Sequence, residues 1–152
     1  NYLNDYDYDP NNFIGGIVIY ADDGTQIINY PEQHIANGRQ KNNDTNYYYK
    51  KMVRIIKKMK YKMEDFHFSS AKEVSSFGLE SLLWNIPDNV FMKYSIYRYT
   101  FGEIVDYLYK NISTIRTYKE ANGIKNLCPT QSDYQKYERF IRDLYTFYEY
   151  DI

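Results

Sequence analysis

The sequence predicts a mainly α-helical domain, a bundle of five or six helices preceded by a short β-hairpin. Three observations carry this. Two β-branched runs flank Asp23-Gly24 near the start. Beyond Pro31 the apolar residues recur at helical spacing in several separately capped segments. The 152 residues are 43% hydrophobic and 19% aromatic, enough for one domain with a packed core and too apolar for disorder.

Residues 1–12 are polar and turn-rich and read as a loop or strand edge. Asp5, Asp7 and Asp9 fall short of a calcium loop, because Pro10 and Gly16 stand where such a loop needs Gly and Glu. Residues 13–20 and 25–30 then read as a hairpin, with Asp23-Gly24 as its turn and Gly15-Gly16 marking a bulge or bend. Pro31 opens a helix at its favoured first position, with Glu32 in the first turn, and this helix fades near residues 42–44. Asp44 or Thr45 caps a longer helix through about Asp65. One stripe of that helix holds Met52, Ile56, Met59 and Met63, and another Lys50, Arg54, Lys57 and Tyr61.

Residues 66–74 read as a connection, with Ser70-x-x-Glu73 as a competing capping box. Ser76 is the expected N-cap of a deeply buried helix over the segment FGLESLLWNI. Pro87-Asp88 ends that element and starts a short one through Met92. Thr100-x-x-Glu103 is expected to begin a helix with Phe101, Ile104, Val105, Leu108 and Ile112 inward. After a loop over 119–131, Ser132-x-x-Gln135 is expected to cap a last helix. Its inner face would be Tyr137, Phe140, Ile141, Leu144 and Phe147 or Tyr148.

Composition narrows the function. The formal net charge is −1, so any polyanion site must be local. Twenty tyrosines supply amphipathic bulk. The single cysteine, Cys128, allows no internal disulfide and fits a reducing cytoplasm. No apolar run approaches the roughly 20 residues of a membrane helix, so no membrane partner is expected. The sequence opens at Asn1 without a methionine, as in a processed product or a fragment.

The chemistry concentrates between Pro31 and Lys62. Residues 50–62 hold seven Lys or Arg and no acid, an array that suits a triphosphate or an RNA backbone. The same array also reads as a solvated face with snorkelling stems. Ser76, at a helix start, either accepts a phosphate or simply caps. His34 has no Cys or second His at ligand spacing, so it reads as packed or hydrogen-bonded rather than metal-bound. No nucleophile motif, P-loop or dinucleotide-binding glycine pattern is present.

The order of these pieces resembles the bacterial cyclic-oligonucleotide synthases, the CD-NTases. These are cGAS/DncV-like enzymes related to oligoadenylate synthase. The segments carrying the resemblance are INYPEQHIANGRQKNNDTNYYYKKMVRIIKK and SSFGLESLLWNIPDNVF. The family pattern P-x-x-H-x-x-N-G-x-x-K-N falls on Pro31, His34, Asn37, Gly38, Lys41 and Asn42, and V-R-I-x-K falls on Val53 to Lys57. P-S-[YF]-x-x-E-x-L-x-x-N-x-P falls on Ser75 to Pro87, with departures at Ser75 and Gly78.

The resemblance implies the C-terminal part of a polymerase-β-like nucleotidyltransferase. Residues 1–30 would be a remnant of its catalytic core and residues 31–152 its helical domain. Lys57 and Ser76 would hold the donor triphosphate, with Lys41 and Arg54 as neighbours. His34, Asn37 and Asn42 would lie at the pocket and domain interface, and Lys50, Lys51, Lys58 and Lys62 are candidate contacts to an activator RNA. The substrate would be a nucleoside triphosphate, ATP foremost, and the product a cyclic second messenger of anti-phage defence. The family's Gly-Ser turn and Asp-x-Asp strand hold two Mg²⁺ ions. No Gly-Ser pair occurs in this sequence. The resemblance therefore implies a catalytic half upstream of Asn1 that carries the Mg²⁺, leaving this chain inactive alone.

Overall fold

A computed structural model describes residues 2–3 and 16–151, with side chains over 16–149. The aspartates at positions 5, 7 and 9 lie outside the described residues. Strand β1 (Tyr2–Leu3) pairs antiparallel with β2 (Gly16–Tyr20), which pairs antiparallel with β3 (Gln26–Asn29). The expected turn is present. Gly24 has φ +86°, and the Thr25 N–H donates to Asp23 Oδ1 at 2.9 Å. The ladder from Ile17↔Asn29 to Tyr20↔Gln26 is regular, so Gly16 marks no bulge between these strands. A Cβ there would sit 2.9 Å from the Tyr30 ring, and that close approach is why the position takes glycine.

Five long helices follow among the described residues, as expected. They are α1 (Pro31–Asp44), α2 (Tyr48–Asp65), α4 (Ser76–Trp84), α6 (Tyr97–Lys110) and α7 (Gln131–Asp151). Single-turn helices α3 (Ser70–Glu73) and α5 (Asp88–Phe91) link them, and a 3₁₀ segment spans Ile112–Thr117. No helix among the described residues is long and apolar enough to cross a membrane.

Helix α2 is the axis of the bundle and touches α1, α3, α4, α6 and α7. Its inward side chains Tyr49, Met52, Val53, Ile56 and Met63 are buried, and Met59 packs at the edge. They meet Leu79, Leu82 and Leu83 of α4, Phe101, Ile104, Val105 and Leu108 of α6, and Phe140, Ile141 and Leu144 of α7 in one core. Each of these stripes follows helical periodicity, which is why the sequence announces it. Burial pushes the Cys128 thiol up to about 11, which keeps it protonated and a poor nucleophile.

Helix ends differ from expectation in instructive ways. Ser75, not Ser76, is the N-cap of α4, its Oγ accepting the Gly78 N–H at 2.9 Å. Ser75 is extended (φ −89°, ψ 157°), the backbone an N-cap needs. The connection over 66–74 contains α3, but no Ser70-to-Glu73 box closes it. Instead Ser70 donates to Asp143 and Glu73 pairs with Arg139, both on α7.

Helix α6 begins at Tyr97, three residues before Thr100. The Thr100 hydroxyl bonds back to the Ile96 carbonyl at 3.2 Å, which a threonine inside a helix does readily. Helix α7 is capped by Thr130 and Asp133 rather than Ser132 and Gln135. The Asp133 N–H donates to Thr130 Oγ1 at 3.1 Å, and the Thr130 N–H returns to Asp133 Oδ2 at 3.2 Å.

The join of α1 and α2 is tighter than the capping reading implies. Asn46 and Tyr47 take positive φ (54° and 70°), reversing the chain within three residues. Thr45 Oγ1 then accepts the Tyr49 N–H at 3.0 Å, and Asn42 Oδ1 accepts the Lys50 N–H at 3.1 Å. Thr45 does act at the start of α2, and Asn42 reaches across the turn to help it.

Candidate functional site

Three helices converge on one carboxylate. Glu80 lies one turn after Ser76 on α4, beside α1 and α2. Its Oε1 accepts from His34 Nε2 of α1 at 3.2 Å, and its Oε2 lies 3.7 Å from Lys57 Nζ of α2. The hydrogen bond from His34 holds the Glu80 carboxyl below its ordinary range. Burial opposes this, and the charges of His34 and Lys57 add to it. A charged carboxylate only accepts, so Nε2 carries the hydrogen. His34 Nδ1 is buried without a hydrogen-bond partner. The imidazole stacks on Phe77 with centroids 4.6 Å apart and planes 18° off parallel. Tyr49, whose phenol burial pushes far up, donates to the Glu80 carbonyl at 2.7 Å. His34 thus holds one carboxylate oxygen and Tyr49 the Glu80 backbone, while Lys57 remains one-third exposed.

With Ser75 serving as the cap, the Ser76 hydroxyl is left over at the mouth of α4. It lies 3.5 Å from the Tyr61 hydroxyl, and Tyr61 follows Lys57 by one turn on α2. Tyr61 and Ser76 therefore meet across the α2–α4 seam, with Lys57 one turn back on α2 beside Glu80; the first N–H groups of a helix have no intrahelical acceptor. A cavity of about 610 Å³ adjoins this cluster, lined by Ile17, Ile19, Tyr30, Ile35, His34 and Phe77. Its volume falls within the range of small-molecule sites. Lys57 and Ser76 lie outside its wall, so the cluster forms a shoulder of the cavity.

The other residues singled out by sequence are placed as follows. Asn37 donates to the Ala121 carbonyl at 2.8 Å, tying the 118–127 loop to α1, and Asn42 braces α2 as described. The Lys41 ammonium is buried against the Ile86 carbonyl and Asp88 Oδ1, the latter at 2.6 Å, and sits 5.3 Å from the Phe91 ring centre. Its donors already serve the α4–α5 junction. Arg54, Lys50, Lys51 and Lys58 are exposed along α2 and form no ion pair among the described residues, and Lys62 is exposed on the same helix. Lys60 differs from these, being buried and paired with Glu64 at 2.5 Å. No three His, Cys, Asp or Glu side chains converge among the described residues.

Sequence reasoning passed over Glu80 and Tyr61 as site residues. Glu80 occupies a named position of the family pattern, and Tyr61 shares the helical stripe of Lys57. Those are the signals that point to them.

The fold and the cluster define a helical domain with cationic and hydroxyl side chains beside a mostly apolar cavity of about 610 Å³. Residues 36–149 match the family described as the cGAS/DncV-like nucleotidyltransferase C-terminal helical domain, and the chain belongs to that family. It is 51% identical over 150 residues to the cyclic GMP-AMP synthase CdnE03 of Staphylococcus schleiferi, covering 99% of this chain and 46% of that protein. It is 38% identical over 109 residues to a cyclic dipurine nucleotide synthase of Elizabethkingia meningoseptica, covering 72% of this chain and 37% of that protein.

Two solved structures are also similar. One is the Elizabethkingia meningoseptica CdnE cyclic dinucleotide synthase with GTP and Apcpp. It has a TM-score of 0.74 and 32% identity and covers 94% of this chain and 55% of that one. The other is the Rhodothermus marinus CdnE c-UMP-AMP synthase with Apcpp and Upnpp. It has a TM-score of 0.79 and 25% identity and covers 92% of this chain and 48% of that one. The chain spans 46% and 37% of the length of the two curated relatives, CdnE03 and the cyclic dipurine nucleotide synthase.

Proposed function

We propose that this chain is the helical half of a synthase that joins nucleoside triphosphates into a cyclic oligonucleotide, and that it forms one wall of the nucleotide pocket. The observation that supports the reading is that the Ser76 hydroxyl, released from capping at a helix start, meets Tyr61 of α2, one turn after the partly exposed Lys57. Together they offer a point charge, a hydroxyl and backbone N–H groups to one triphosphate. Arg54, one turn before Lys57 and exposed, adds long-range attraction. Lys41 acts indirectly, by fixing the α4–α5 junction. The two Mg²⁺ ions of this chemistry would sit on carboxylates of the nucleotidyltransferase half. This chain would hold the phosphates and would be inactive alone.

The test is stabilisation by ATP. At roughly 100 times Kd a ligand adds about 2.7 kcal/mol. For a domain of this size that corresponds to a rise of roughly 5–10 °C in melting temperature. The rise should be smaller in Ser76→Ala. No rise at any ATP concentration would contradict the reading.

The exposed cations of α2 favour a second reading, an activator RNA bound along Lys50, Lys51, Arg54, Lys58 and Lys62. A solvated helix face normally mixes signs, whereas residues 50–62 hold seven Lys or Arg and no acid. RNA affinity should fall with salt. Charge reversal at Lys58 and Lys62 should flatten the log–log slope by about 0.7–0.9 for each phosphate that the variant no longer neutralises. An unchanged affinity in that variant removes this reading.

A further inference from the structure

Lys57 already has an anion beside it. Glu80 Oε2 lies 3.7 Å away, beyond ordinary hydrogen-bond length. The ammonium is therefore attracted to the carboxylate, and its N–H groups remain available. Glu80 is held near Lys57 by one hydrogen bond to its carboxylate and by a tether on its backbone. His34 grips Oε1 at 3.2 Å, the imidazole is stacked on Phe77, and the Tyr49 hydroxyl holds the Glu80 carbonyl at 2.7 Å. A polyphosphate drawn to Lys57 must settle against a fixed negative charge on the same shoulder.

We propose that Glu80 is an internal competitor for Lys57. It keeps the ammonium on the shoulder of the cavity when no phosphate is bound, weakens the hold on polyphosphate, and takes Lys57 back when pyrophosphate leaves. The inference rests on the reading of Lys57 as a phosphate ligand. It differs from a bracing role in the sign of its effect. Removing a brace loosens ligand binding, whereas removing a competitor tightens it.

Glu80→Gln separates the two, because it keeps the side-chain length and an oxygen for His34 while deleting the charge. Titrating pyrophosphate into the protein should show roughly tenfold tighter binding to Glu80→Gln than to wild type, the scale of one like-charge repulsion at a partly buried site. The gain should vanish in Glu80→Gln combined with Lys57→Ala. Equal or weaker binding by a folded Glu80→Gln would overturn the inference.

A measurement on the wild type alone guards against loss of fold in the variant. The carboxyl of Glu80, followed by carbon NMR, should titrate at higher pH once pyrophosphate saturates the protein, because Lys57 is drawn off and a second anion approaches. An unmoved titration would overturn the inference as well. If Lys57→Ala binds pyrophosphate as wild type does, the phosphate reading falls and this inference with it. If Lys57→Ala weakens binding but Glu80→Gln does not tighten it, the competitor role alone falls.

Discussion

Lys57→Ala should lower kcat/KM for the donor nucleotide about 10- to 100-fold in the synthase assembled with its nucleotidyltransferase half. Charge-assisted hydrogen bonds contribute about 1.5–3 kcal/mol each, and about 1.4 kcal/mol is one decade. Steady-state kinetics check this, and they also show where the effect falls. A rise in KM alone marks an interaction made equally in ground and transition state, and a fall in kcat marks one that strengthens during transfer. Stability should change little. The Lys57 side chain is one-third exposed, its ion pair with Glu80 is long, and Glu80 keeps His34 when Lys57 is gone. Part-exposed pairs of this kind contribute about 1 kcal/mol or less. A variant with wild-type kinetics would return Lys57 to the solvated face.

The second large effect is on the fold. Gly78→Ala should destabilise the chain even though alanine is the better helix former. An added Cβ would lie 2.1 Å from the Tyr137 hydroxyl and 3.1 Å from Ser75 Oγ. Tyr137 is buried on α7 with little room to turn, and Ser75 is the cap of α4. The substitution therefore pries α4 from α7 and disturbs the cap at once. Overpacking costs about 1–3 kcal/mol, of which the helix propensity of alanine offsets up to about 1. A net cost of about 1–2 kcal/mol lowers the melting temperature by roughly 2–8 °C. Tyr137→Phe removes the clashing oxygen, so Gly78→Ala with Tyr137→Phe should recover most of the loss. If thermal denaturation shows the double variant no better than Gly78→Ala, the account of Gly78 is wrong.

The core was legible because helices declare themselves by period. Met52, Ile56 and Met63 on α2, and Phe140, Ile141 and Leu144 on α7, are buried where the 3.6-residue repeat puts them. The hairpin was legible because Asp-Gly makes a turn by local chemistry alone. The starts of α1 at Pro31 and α5 at Asp88 were legible as well; those of α4, α6 and α7 were not, and for one reason. Ser75 and Ser76, or Thr130 and Ser132, are near-equal capping candidates by type. The choice depends on which hydroxyl the backbone turns towards the free N–H groups. Glu73 and Thr100 likewise look like local caps and are claimed by Arg139 and by the Ile96 carbonyl.

The candidate site was half legible. The family resemblance picks out Lys57, Ser76 and His34, whereas type and spacing alone read as a solvated face, a cap and a packed imidazole. What joins them is Glu80, whose partner His34 lies 46 positions away and on another helix. Lys41 shows the converse. Its spacing suggests a phosphate ligand, and only the fold reveals that Asp88, 47 positions on, already holds it.

Cyclic product is the most direct test of the central claim. The full-length product of the gene that encodes this chain would be incubated with the four nucleoside triphosphates and Mg²⁺, and its products read by mass spectrometry. The account predicts a cyclic oligonucleotide and released pyrophosphate, with the yield collapsing in Lys57→Ala. Only unreacted triphosphates, or a cyclic product whose yield ignores Lys57, would contradict it.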